Sequence, residues 1–85
     1  MIFIASDHAG IDFKRRVAQH LRGRDLPVED LGPHDQASVD YPDYAHLLAR
    51  RVCSGAADTG VLICGTGLGM SMAANRHPGI RAAAI

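Results

Sequence analysis

Apolar and polar positions alternate along this chain in two different periods. Residues 2–5 form an unbroken apolar run, Ile2-Phe3-Ile4-Ala5, short enough for a strand covered on both faces. A polar, small-residue break follows at Ser6-Asp7-His8-Ala9-Gly10. Phe13, Val17 and Leu21 then recur every four residues with Ala18 beside them, which predicts an apolar helical stripe. On that reading Lys14, Arg15, Gln19 and Arg22 face water, and Gly23 ends the helix. Residues 26–31 read as a second strand, and Pro27 and Glu29 place it at an edge. Residues 32–39 read as a loop. Pro42, after Asp40-Tyr41, marks the next helix start. Ala45, Leu48, Ala49, Val52 and Cys53 form the core face of that helix, and Gly55 closes it. A third strand is expected at 60–64 and a third helix at 69–76. Pro78-Gly79 breaks that helix, and residues 80–85 read as a fourth strand.

Strands joined by single helices imply right-handed crossovers and a parallel sheet. The expected fold is α/β, a Rossmann-like αβα sandwich in one domain over residues 1–85. A fourth strand with no helix after it suggests a domain truncated at its C-terminus, or one completed by a partner.

The run Val61-Leu62-Ile63-Cys64-Gly65-Thr66-Gly67-Leu68-Gly69-Met70-Ser71 carries the candidate chemistry. Cys64 falls at the carboxyl end of a strand, where open α/β sheets place ligands. Glycines at alternate positions keep side chains away, so backbone N–H groups can face an anion. The following helix adds its positive end. The alternative is a tight strand-to-helix turn with a buried, inert thiol. A dinucleotide fingerprint would need glycine where Met70 stands, and no acidic ribose-binding residue follows a first glycine loop. A P-loop would need a lysine here.

Composition narrows the partners. The chain is 85 residues long, 47% hydrophobic and 21% charged, which suits one small globular domain. Nine basic residues balance nine acidic ones, against a general nucleic-acid or membrane-surface role. The Lys14-Arg15-Arg16 cluster reads as a solvated helix face. No apolar stretch approaches the roughly 18 residues of a membrane span. Two cysteines make no disulfide framework, and a reducing cytoplasm is expected. Cys53 reads as packing. So do Met70 and Met72. His20, His34, His46 and His77 show no ligand spacing and read as surface or capping residues, so no metal or cofactor is expected.

Three segments in order resemble one family: Asp7-His8-Ala9-Gly10, Asp40-Tyr41-Pro42-Asp43-Tyr44-Ala45, and Ile63 to Ser71. Ala73-Ala74-Asn75-Arg76 and Gly79-Ile80-Arg81-Ala82 extend the match across the chain. The sequence is similar to the type B ribose-5-phosphate isomerases, a group that also acts on allose and galactose phosphates. The resemblance implies a metal-free aldose–ketose isomerase working through an enediol. It implies that Cys64 is the base and that amides of Gly65, Gly67, Leu68 and Gly69 hold the enediolate. It implies ring opening by Thr66, substrate binding by Asp7 and His8, and a pocket wall at Tyr41. Some members carry serine and a later glutamate instead; here Cys64 is present and the later position is Asn75. The family extends beyond residue 85, and the missing part carries a second histidine and phosphate-binding arginines. Members are dimers or tetramers with shared sites.

Two other readings compete. One is a non-catalytic sugar-phosphate-binding subunit that needs a partner. The other is a nucleotide-binding half-domain. Alone, Asp7 also reads as a helix N-cap, His8 as a loop histidine and Tyr41 as a staple at the helix start.

Overall fold

Strand β1 (Ile2–Ser6) lies between two parallel neighbours, so its apolar run is covered on every side. The computed structural model describes residues 1–33, 41–55, 59–64 and 68–83. After β1 come a 3-10 turn (His8–Gly10) and helix α1 (Ile11–Gly23). Then follow β2 (Val28–Gly32), α2 (Tyr41–Cys53), β3 (Thr59–Ile63) and α3 (Leu68–Asn75). The strand order is β2-β1-β3, all parallel. The fold is α/β, as the alternating pattern predicts. β2 is an edge strand, and Pro27 falls just outside it. Among the described residues no helix is long and apolar enough to cross a membrane.

The pleat divides β1 between two faces. Phe3 and Ala5 pack with Leu48 of α2, joined by Leu31, Tyr44, Val52 and Leu62. Ile4 points to the other face, where α1 lies along β1 and β2. The chain steps outward from β1 to β2 and then back past β1 to β3. Right-handed crossovers in opposite directions put α1 and α2 on opposite faces. The reversal places a switch point between the carboxyl ends of β1 and β3.

Gly60 sets how closely α2 approaches β3. A Cβ there would collide with the Leu48 side chain, which is itself buried. Gly60→Ala is expected to lower stability by about 1–3 kcal/mol through overpacking. Urea unfolding measures it, and a change under a few tenths of a kcal/mol would refute the close-packing argument. Gly55, at φ +83°, closes α2 as expected.

Several expectations are corrected. The inward face of α1 is Ile11, Lys14 and Ala18; Phe13 is 60% exposed. The helix starts at Ile11, so spacings of three and four from that residue face the sheet. Lys14 is not on a solvated face: its stem fills the core and its amine is fully buried. The left-handed residue after α1 is Asp25 (φ 61°), two beyond Gly23. Cys53 is exposed: it is the last residue of α2, and its neighbour Val52 is the one that packs on the core. Met72 is 68% exposed, on the outer side of α3 from buried Met70. Residues 80–83 form no strand, so the described sheet has three strands rather than four. The backbone of Ala82 is instead paired by the Asn75 carboxamide. Asn75 Nδ2 donates to the Ala82 carbonyl at 2.9 Å, and the Ala82 N–H donates to Oδ1 at 2.8 Å. A side chain makes the two bonds that a neighbouring strand would make. Residues 84 and 85 lie outside the described residues.

Candidate active site

The candidate site gathers at the carboxyl ends of β1 and β3. Ser6 pairs with Ile63 in the parallel register, so Asp7 and Cys64 leave the sheet side by side. The Asp7 N–H donates to the Ile63 carbonyl at 3.1 Å, continuing the ladder one residue past the strand. Two segments 57 positions apart in sequence thus converge on one edge.

Around Asp7 the chain turns sharply. Its Oδ1 accepts from the Gly10 N–H at 2.8 Å, and its carbonyl accepts the Ser6 hydroxyl at 2.8 Å. The capping alternative for Asp7 is therefore formed, as cap of the 3-10 turn. Gly10 lies against β3: an added Cβ would sit 3.0 Å from Ile63 Cγ2 and 3.2 Å from the Ile63 carbonyl oxygen. A side chain at position 10 would push the turn a few tenths of an ångström away from the residue before Cys64. Ser6, fully buried, and Gly10 were not singled out by the sequence reading. The signal for both was a serine and a glycine bracketing the polar break before a helix.

Cys64 directly follows β3 and is half-buried. Its side chain packs on Ala45 of α2 and on Met70 and Ala73 of α3. It is in no disulfide. Helix α3 starts at Leu68, four residues on, so its N-terminal end follows Cys64 closely in the chain. Gly65, Thr66 and Gly67 lie outside the described residues. The backbones of His8, Tyr41, Leu68 and Gly69 belong to the elements named above; their side-chain surroundings lie outside the description. Tyr41 opens α2 and His8 opens the 3-10 turn beside Asp7. Tyr44, partly buried, packs against the Phe3, Ala5 and Leu48 cluster.

Lys14 supports this edge from below. Its Nζ donates to Asp30 Oδ1 at 2.7 Å and to the Pro33 carbonyl at 2.6 Å. Asp30 Oδ1 also accepts from the Gly32 N–H at 2.8 Å. The amine clasps the carboxyl end of β2, where the chain leaves toward Tyr41. The sequence signal was an acid at the end of the second strand, a partner that could draw a lysine inward. Among the described residues no three His, Cys, Asp or Glu side chains converge on a metal position.

An arrangement of a thiol, a capped aspartate and a helix start at a parallel-sheet switch point suits a small anionic ligand. Comparison with known proteins narrows this. The family model described as "Ribose/Galactose Isomerase" matches residues 2–85. A probable ribose-5-phosphate isomerase B of Mycoplasma pneumoniae is 49% identical, over 99% of this chain and 56% of its own length. A Thermotoga maritima ribose 5-phosphate isomerase structure superposes with a TM-score of 0.91 at 54% identity. That match covers 94% of this chain and 55% of the other. A Mycoplasma genitalium ribose-5-phosphate isomerase B, solved with bound ribulose-5-phosphate, superposes at 0.86 with 47% identity, over 93% of this chain and 53% of its own. The chain spans about half the length of the curated relatives it matches. A shared fold, relatives about half identical and a family match over nearly every residue have one reading: this chain belongs to the ribose/galactose isomerase family.

Proposed function

We propose that this chain supplies the proton-transfer edge of an aldose–ketose isomerase interconverting ribose 5-phosphate and ribulose 5-phosphate. The observation that carries the reading is the placement of Cys64 and Asp7 on adjacent strand ends, joined by the Asp7–Ile63 hydrogen bond. Cys64, as thiolate, takes the proton from C2 of the open-chain aldose. The C1 carbonyl oxygen becomes the enediolate oxygen, and amides from Gly65 to Gly69 stabilise it. Each such donor is typically worth about 10²–10³ in rate. The thiol then returns the proton to C1, while the O2 proton passes to O1, giving the ketose. Thr66 assists ring opening. Asp7 binds sugar hydroxyls, His8 faces the phosphate end and Tyr41 lines the pocket. The assembled enzyme is a homodimer or homotetramer with shared sites. Bound ribulose-5-phosphate in the Mycoplasma genitalium relative supports the substrate class. The family description also spans galactose, which makes a six-carbon sugar phosphate the second substrate to test.

Turnover in D2O tests the chemistry. Ribulose 5-phosphate formed from ribose 5-phosphate should carry solvent deuterium at C1. Conversion that carries no deuterium and is unaffected by Cys64→Ala would point to direct hydride shift and sink the enediol route. Turnover of a six-carbon sugar phosphate in clear preference to ribose 5-phosphate would overturn the substrate assignment.

A further inference from the structure

Two histidines that are not part of the candidate site meet where α2 and α3 pack side by side. His46 lies on α2, and His77 follows α3. Their Nδ1 and Nε2 atoms are 2.7 Å apart. The rings are tilted by 56° with centroids 4.9 Å apart, so the two nitrogens converge and the rings do not stack. The sequence reading set both aside as unrelated surface residues. The fold corrects that, because α2 and α3 pack side by side and bring residues 31 positions apart together.

We infer that His46 and His77 form the protein half of a binding site for a borderline divalent transition cation of the Zn2+ type. Both ligands stand on constrained backbone. His46 is within a 13-residue helix. The His77 N–H donates to the Ala74 carbonyl at 3.1 Å, and its own carbonyl accepts from the Ile80 N–H at 3.1 Å. The next residue is held too, since Cys53 Sγ donates to the Pro78 carbonyl at 3.5 Å. Both rings are half-buried, leaving a side open to water.

The geometry is within reach of coordination. Imidazole nitrogens bind Zn2+ at about 2.0–2.1 Å, and a tetrahedral angle then puts two donors about 3.3 Å apart. The pair need separate by roughly 0.6 Å from its hydrogen-bonded distance, a small ring rotation. One facing nitrogen carries the shared proton. That ring shifts it to its far nitrogen, so both ligands are neutral imidazoles and no proton is gained or lost. Water completes the shell, because no third His, Cys, Asp or Glu joins the pair among the described residues. An all-nitrogen protein donor set selects Zn2+, Ni2+ or Cu2+ over Mg2+ and Ca2+. The bound ion would replace the hydrogen bond as a tie between α2 and the segment after α3.

Melting temperature and NMR test this on the intact chain. Zn2+ should raise the Tm by several degrees and Mg2+ should not, since a ligand that binds only the folded state stabilises it. His46→Gln and His77→Gln should each weaken Zn2+ binding by an order of magnitude or more and remove the rise. Substoichiometric Ni2+ should broaden the His46 and His77 ring signals and spare His20; this readout needs no variant to fold. Zn2+ stabilisation retained in both variants would overturn the proposal. So would the absence of any Zn2+ effect, or broadening centred on Cys53 or Cys64.

Discussion

Cys64→Ala is expected to lower ribose 5-phosphate isomerisation by roughly 10²–10⁴, the usual contribution of a positioned base. The C2–H proton is weakly acidic, and on the proposed mechanism Cys64 is the group that takes it; the Asp7 carboxylate on the neighbouring strand end is already held by the Gly10 N–H. Deuterium exchange at the sugar should fall with turnover, because both pass through the same proton transfer. Michaelis constants should move little, since the proposed mechanism has Cys64 act on the reacting carbon rather than on the phosphate. Folding should survive. The side chain is half-buried and loses only one sulfur atom's packing against Ala45, Met70 and Ala73. Cys64→Ser keeps the shape but offers a hydroxyl far too weak an acid to ionise near neutral pH, so it should be nearly as slow. Turnover within a few-fold of the unsubstituted protein in the alanine variant would remove Cys64 from the mechanism. A large fall in Tm would make its role one of packing.

The largest stability effect is expected at Lys14. Lys14→Met should cost about 3 kcal/mol, at the lower end for breaking a buried ion pair. The lower end applies because Asp30 is 16% exposed and keeps its bond from the Gly32 N–H. The Pro33 carbonyl, however, loses its donor, and a stranded buried acceptor adds to the loss. A chain of this size has a total stability of roughly 4–13 kcal/mol, so the fall is a large share. It corresponds to a Tm drop of about 12–24 °C. Asp30→Asn should be at least as damaging, since it leaves a fully buried ammonium facing a neutral amide. Replacing both partners by apolar residues should recover part of the loss, and a double-mutant cycle reads the coupling. Additive effects of the two single changes would show that the pair does not act as a unit.

Most of the fold was legible because burial imposes periodicity. A strand between two neighbours needs apolar side chains at every position, and Ile2 to Ala5 supply them. A helix on a sheet needs small and apolar residues on one side, and Ala45, Leu48 and Ala49 supply them for α2. The candidate site was legible for a different reason. Glycine, cysteine and aspartate at strand ends are not chosen for packing, so they stand out from the periodic background.

The misreadings share one cause: each residue's outcome depended on a partner distant in sequence. Lys14 looked solvated because a lysine without a partner stays in water. Asp30, 16 positions away, made burial possible. Phe13 looked like core by spacing alone, but α1 starts at Ile11 and turns that position outward. Residues 80–83 have strand-like composition, yet the Asn75 carboxamide takes the Ala82 backbone first.

The sequence alone determined the alternation of strands and helices, the parallel α/β class, the edge position of β2 and the residues from which the candidate site is drawn. These follow from local periodicity and from side-chain types that resist any packing explanation. Tertiary structure decided which strand ends are neighbours, and so that Asp7 and Cys64 share one edge. It also decided that Lys14 is buried and that His46 meets His77. Those outcomes depend on strand order and on helix packing, which join residues by distance in space rather than by spacing along the chain.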